Sequence, residues 1–197
     1  PKAVKRVEIP KPNGKMRPLG IPCIIDRIVQ QCILQVMEPI CEAKFHDHSY
    51  GFRPNRSQEH AVALVYKNIQ LSHYYYVVDI DIKGFFDNVN HGKLLKQMWA
   101  MGIRDKKLLS IISAMLKAEV AGIGFPEKGT PQGGIISPLL SNIVLNELDW
   151  WIASQWEDFP TRKKYATGTN YNGTENKGNK YKMLRDYTRL KEVTCVR

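Results

Sequence analysis

Two aspartates, Asp79 and Asp81, lie in the run Val77-Val78-Asp79-Ile80-Asp81-Ile82-Lys83-Gly84-Phe85-Phe86-Asp87-Asn88-Val89-Asn90-His91. Read as a strand, this run puts both carboxylates on one face, because strand side chains alternate with a period of two. Neighbouring acids repel one another, and a divalent cation or a basic partner relieves that repulsion. The flanking Val77, Val78, Ile80 and Ile82 argue for a central strand with one face buried rather than a solvent-facing edge. A two-metal phosphoryl-transfer site needs more carboxylates than one strand supplies, so a second acidic segment has to come from elsewhere. The final segment, Glu192-Val193-Thr194-Cys195-Val196-Arg197, reads as a strand that stops before any second acidic pair. The expectation is a fragment of an enzyme.

Two further patterns suit phosphates and nucleotides. The turn Thr130-Pro131-Gln132-Gly133-Gly134 allows close backbone approach to a ligand, since paired glycines remove side chains and permit positive φ. Gln132 offers a donor and an acceptor to a base edge or a sugar hydroxyl. Lys11, Lys15 and Arg17 would point ammonium and guanidinium groups at a polyphosphate, Arg with bidentate geometry. Alone, each pattern is ordinary surface. Phe85 and Phe86 read as core aromatics, or one of them as a ring beneath a bound sugar. His46 and His48 flank Asp47 and read as an exposed polar loop rather than as metal ligands. Cys23, Cys32, Cys41 and Cys195 lack the close pairing of a zinc site, and their thiols are expected to stay reduced.

The elements that must position these groups are legible from caps and periodicity. Val4 to Ile9 and Lys15 to Ile21, joined across Pro12-Asn13-Gly14, predict a basic hairpin. Asp26 reads as the cap of a helix with a core face of Ile28, Val29, Cys32, Ile33, Val36 and Met37, disturbed at Pro39. After the loop Tyr50-Gly51-Phe52-Arg53-Pro54-Asn55-Arg56, Ser57 caps a helix whose inner face is Ala61, Val62, Leu64, Val65 and Ile69. Helices are predicted over 91–101, 106–117 and 137–156. Residues 160–183 lack an apolar period and read as a mobile basic loop. Helices outnumber strands without regular βαβ alternation, so the fold class is α+β.

At 197 residues with 43% hydrophobic content, the chain can bury one substantial core, with room for a smaller lobe. No apolar run is long enough to span a membrane and no signal peptide is visible, so a cytoplasmic location is expected. The net charge of +10 is concentrated at the ends. Residues 1–17 carry six Lys/Arg against one acid and residues 161–197 carry ten against three, whereas the middle is slightly acidic with thirteen against fifteen. Basic ends beside an acidic centre suit a polyanion held near a cation. Lys2, Lys5, Arg6, Arg162, Lys163 and Lys164 are the candidate nucleic-acid-binding residues.

Taken together, Lys15 to Pro22, Ser49 to Arg56, Asp79 to His91 and Gly129 to Asn142 resemble, in order and spacing, the first sequence blocks of group II intron reverse transcriptases, the maturases. The resemblance covers most of residues 5–160, and Gln155-Trp156 and Phe159-Pro160-Thr161-Arg162 are also similar to that family. It implies the fingers and palm of a right-hand polymerase, with a palm sheet backed by helices and the thumb absent. On that reading residues 1–78 are fingers, 79–160 the palm core, and 161–197 a basic insertion followed by a palm strand. Carried over by position, Asp81 is the first palm aspartate binding two Mg2+ ions, with the Ile82 carbonyl as a further metal ligand. Phe86 is the gate against a ribose 2′-hydroxyl, Gln132 lines the nucleotide pocket, and Lys11 and Arg17, with Lys15 beside them, meet the dNTP triphosphate. Asp79 has no family role and Asp87 reads as structural.

The family's YADD box would follow Arg197 directly, so the chain by itself is expected not to polymerise. The implied partners are group II intron RNA, an RNA template with its DNA primer, and a DNA target, with a homodimer conceivable and no membrane. The competing readings are a non-catalytic RNA-binding splicing module and a retron-type or diversity-generating reverse transcriptase.

Overall fold

A computed structural model describes residues 1–10, 14, 16–71, 76–131, 133–154, 170–174 and 196–197, with the Arg17 side chain left out. Two strands, β1 (Lys5–Pro10) and β2 (Met16–Ile21), pair antiparallel in the register Lys5 with Ile21 through Pro10 with Met16. Gly14 takes a φ of 76° in the connection, the left-handed conformation that favours glycine there. The hairpin matches the sequence expectation. Its closing residues Lys11 and Lys15 lie outside the described residues.

Six helices follow among the described residues: α1 (Ile24–Glu42), α2 (Gln58–Gln70), α3 (Phe85–Asn88), α4 (His91–Ala100), α5 (Lys106–Leu116) and α6 (Ser137–Ile152). Their starts are chemically explicit in three cases. Ser57 Oγ accepts from His60 N, Asn90 Oδ1 from Lys93 N at 2.9 Å, and Asp105 Oδ1 from Lys107 N and Leu108 N at 2.8 and 3.1 Å. Each satisfies N–H groups that a helix start leaves orphaned. The Ser57 hydroxyl also holds the Glu59 carboxyl below its ordinary range.

The core lies between α1, α4, α5 and α6. Met37 and Cys41 of α1, Leu94 and Met98 of α4, Ile112 and Leu116 of α5, and Leu140 and Ile143 of α6 are almost fully enclosed. Each large apolar side chain of this set contributes about 2 kcal/mol through burial. Burial also pushes the Cys41 thiol up to about 12, which leaves it inert. Cys23, Cys32 and Cys41 are free thiols.

Three expectations are corrected. The inward face of α1 is Gln30, Ile33, Met37 and Cys41, while Ile28, Val29, Cys32 and Val36 face outward. Asp26 lies in the first turn, where its carboxylate accepts from Lys2 N, and the helix runs on through Pro39. An apolar residue on every second or third position fits two adjacent stripes, and only one of them meets α6. Helix α2 buries none of its residues, and Val62 and Ile69 of its expected inner face are exposed. Finally, no strand forms over 77–82. Val77, Val78, Ile80 and Ile82 are all exposed, Val78 to 81%. A central strand needs neighbours to receive its ladder hydrogen bonds, and no described residue pairs with this segment. The expected strand over 192–197 and the basic loop over 160–183 fall largely outside the described residues.

Candidate active site

The turn at 129–134 is the hub on which the hairpin and α3 converge. Thr130 N donates to Phe86 O and Gly129 N to Val89 O, both at 2.7 Å, so the turn is tied across the backbone to α3 and the residue after it. On its other side it meets the hairpin. A Cβ built on Gly133 would lie 2.8 Å from Gly20 O, and one on Gly20 would lie 2.9 Å from Val4 Cγ1 and 3.4 Å from Pro131 Cβ. Gly129 is equally constrained, at a φ of 94° with Phe86 O and Asp87 O each 3.1 Å from a would-be Cβ. The glycines therefore serve close approach of the chain to itself, and only a residue without a side chain allows these three segments to touch. Gln132, the expected pocket residue on this turn, lies outside the described residues.

Two buried polar side chains hold the hub. Gln30, on the inward face of α1, accepts from Ile135 N at 2.8 Å through Oε1. His91 bonds Gly129 O through Nε2 at 2.7 Å. A carbonyl only accepts, so Nε2 carries the proton in the neutral ring. Neither residue was singled out in the sequence. Gln30 had a usable signal, being the one polar residue at the three- and four-residue spacing of Ile33, Met37 and Cys41.

Phe86 sits half-buried at the start of α3 with its ring 5.7 Å from Phe85 in an edge-to-face pair, and Phe85 packs on the core. Gly84, at a φ of 61°, turns the chain into this helix, and Asn88 Nδ2 closes it by donating to Gly84 O at 2.9 Å. The two aspartates lie just before that turn and are both exposed. Asp81 and Asp79 make no ion pair or hydrogen bond with any described residue. No group of three His, Cys, Asp or Glu side chains able to hold a metal occurs among the described residues. The donor chemistry nevertheless suits Mg2+, which takes hard oxygen ligands and is commonly held by one or two carboxylates together with substrate phosphates and water. Asp81 with the Ile82 carbonyl would supply part of such a set.

The basic candidates separate. Lys2 and Lys5 are exposed, and Arg6 on β1 pairs with Glu8 at 3.1 Å with both side chains exposed. Arg17 lies on β2 opposite Ile9. Lys11, Lys15, Arg162, Lys163 and Lys164 fall outside the described residues.

The most densely built polar cluster lies elsewhere, where α6 grips the loop after α1. Asp149, 4% exposed, accepts Arg197 Nε and Nη2 at 2.7 to 3.0 Å. Arg197 Nη1 reaches Asn142 Oδ1 at 2.9 Å and Nη2 reaches Ser49 Oγ at 2.7 Å. Asn146 takes His46 N and gives to Lys44 O, and Trp150 Nε1 also gives to Lys44 O. His46 is buried and packs edge-on against Trp150 at 5.0 Å, which replaces the expected exposed histidine loop. The polar residues Asn142, Asn146 and Asp149 at helical spacing in a largely apolar helix are a signal for this interface.

Comparison with known proteins agrees with the motifs. The family described as reverse transcriptase (RNA-dependent DNA polymerase) matches residues 9–170. The chain is 43% identical over 171 residues to Protein YkfC of Escherichia coli, covering 83% of this chain and 44% of that protein. It is 40% identical over 161 residues to the group II intron-encoded protein LtrA of Lactococcus lactis, covering 77% and 26%. A solved Cas6-RT-Cas1–Cas2 complex aligns over 79% of this chain and 27% of that one at a TM-score of 0.48 and 26% identity. The chain thus spans less than half the length of the curated relatives it matches. No helix among the described residues is long and apolar enough to cross a membrane. A match over most of the chain, with relatives that include group II intron-encoded proteins, places it in the reverse transcriptase family.

Proposed function

We propose that this chain forms the fingers (1–78) and palm core (79–160) of an RNA-directed DNA polymerase encoded by a group II intron, acting as part of a longer protein. The observation that supports this most is the convergence of the hairpin, α3 and the 129–134 turn through backbone contacts that only glycine permits. Asp81 and the Ile82 carbonyl are the chain's metal ligands on this reading, and Asp79 stays outside the site. Bound Mg2+ would supply a Lewis acid for the primer hydroxyl and neutralise the leaving pyrophosphate. The protein's share is positioning. Lys11, Lys15 and Arg17 orient the dNTP triphosphate, Gln132 meets base or sugar, and Phe86, fixed by its carbonyl's bond from Thr130 N, occupies the space a 2′-hydroxyl would need. The basic ends hold intron RNA or template, with Lys2, Lys5, Arg6, Arg162, Lys163 and Lys164 as phosphate partners.

The test is sugar selectivity in RNA-templated primer extension by the longer protein that carries this chain. Phe86→Val should raise ribonucleotide incorporation relative to deoxyribonucleotide by about tenfold or more, since removing a steric block changes the two substrates unequally. An unchanged ratio with intact synthesis would show that Phe86 is not the gate.

A further inference from the structure

The loop between α1 and α2 displays an aromatic side chain in a way the backbone does not favour. Phe52 has a φ of 54°, the left-handed region that side chains avoid, and is 75% exposed. It occupies a tight turn at a place that Gly or Asn ordinarily fills. The next turn follows the ordinary rule, with Pro54 leading into Asn55 at a φ of 58°. Burial does not hold Phe52 there. Its neighbours do.

Arg53, 7% exposed, grips Glu42 of α1 through Nε and Nη2 at 2.9 to 3.1 Å and gives Nη1 to His46 O and Ser49 O at 2.7 and 2.8 Å. Its guanidinium lies over the Phe45 ring at 5.3 Å. Asn142 of α6 takes the preceding carbonyl, donating from Nδ2 to Gly51 O at 2.8 Å. The residues on both sides of Phe52 are thus anchored to two helices while its own ring faces solvent. A strained position persists when its surroundings over-determine it, and such positions concentrate where a side chain meets a ligand.

We propose that Phe52 is a stacking platform for an unpaired nucleobase of bound RNA, a role that rests on the RNA-binding reading above. Asp47, Asn55 and Arg56 on the same loop are polar or charged, so the ring is an isolated aromatic in a polar setting rather than part of an apolar docking patch. Arg56, four residues on in the same loop, is held with its guanidinium 5.4 Å from the Tyr50 ring and paired with Asp47. Single-stranded RNA is bound by this combination of aromatic faces and nearby cations, because every base has a face to stack while its phosphates stay in solvent.

The experiment measures affinity of the 197-residue chain for an RNA stem-loop carrying 2-aminopurine in the loop, across a salt series, for wild type, Phe52→Gly and Phe52→Trp. Phe52→Gly should weaken binding about tenfold and abolish quenching of the 2-aminopurine, as loss of one stacked base implies. Its log–log salt slope should equal that of wild type because no phosphate contact is removed. Phe52→Trp should retain affinity and quenching. The thermal midpoint of Phe52→Gly should stay at or above that of wild type, since glycine suits this φ. Equal affinity of wild type and Phe52→Gly overturns the proposal, and so does a lowered midpoint, which would mean the ring packs within the fold. A chain that binds no RNA removes the RNA-binding reading itself, and this role with it.

Discussion

The loop at 46–56 and the segment at 76–83 both carry motif residues, and the protein treats them in opposite ways. In the first, the guanidiniums of Arg53 and Arg197 find carboxylates and carbonyls on three elements, and Asp149 sits almost fully enclosed. In the second, Asp79 and Asp81 stand exposed between exposed valines and isoleucines. Buried charge is tolerated only when paired and hydrogen-bonded, so the charged groups of the first region are spent on one another and its exposed Phe52 ring is what it leaves to solvent. The second leaves its carboxylates exposed and, among the described residues, unpaired. Order and exposure are divided between them: one region fixes α1, α6 and the loop into a frame, and the other leaves exposed the carboxylates to which the proposed function assigns a cation.

This division breaks most sharply at Asp149. Asp149→Ala leaves the Arg197 guanidinium without its bidentate partner and should cost about 3 kcal/mol of stability, read by urea denaturation. A loss below about 0.5 kcal/mol would show that the clamp is ornamental, as surface pairs are. A smaller effect is expected at the α2 start, where Ser57→Ala should cost about 1 kcal/mol through the lost cap. The same change should let the Glu59 carboxyl titrate nearer its ordinary range, followed by NMR. Because Glu59 is depressed in the folded chain, its contribution is present above the ordinary carboxylate range and fades as pH falls through the lowered value. In Ser57→Ala that acid-side loss should shrink, because the folded value draws back toward the unfolded one. The smallest effect belongs to the acidic segment itself. Asp79→Asn should change stability by less than about 0.5 kcal/mol, since an exposed side chain with no partner among the described residues holds little in place. A large loss would place Asp79 in a contact that the two-region contrast denies.

The same contrast explains what was legible in the sequence. Local signals succeeded: Ser57 marked the start of α2 and Pro12-Asn13-Gly14 the hairpin connection, because caps and turns act through bonds within a few residues. Where a segment's fate depends on distant partners, the reading failed. Val77 to Ile82 has strand composition, but composition cannot supply a ladder partner, and α2 has an apolar stripe that none of the described residues buries. The clamp on α6 was missed for a related reason. Asn142, Asn146 and Asp149 read singly as helix surface, and only their common spacing shows that they face a loop a hundred residues away. At the candidate site, three of the motif segments, the hairpin, 79–91 and 129–134, are legible in the sequence and converge, whereas Gln30 and His91, which hold the 129–134 turn, act through single long-range bonds, and of the two only Gln30 shows in a helical spacing.

Asp81 is where the account can be tested most directly. Asp81→Asn, in the longer protein that carries this chain, should reduce RNA-templated DNA synthesis by about a thousandfold or more, because a carboxylate that holds the cation has been neutralised. Measured on the same preparation, RNA affinity and thermal midpoint should match wild type, since the exposed carboxylate contributes to neither. Near-normal synthesis by Asp81→Asn would contradict the metal-binding role, and loss of synthesis together with loss of folding or RNA binding would contradict the separation of frame from chemistry.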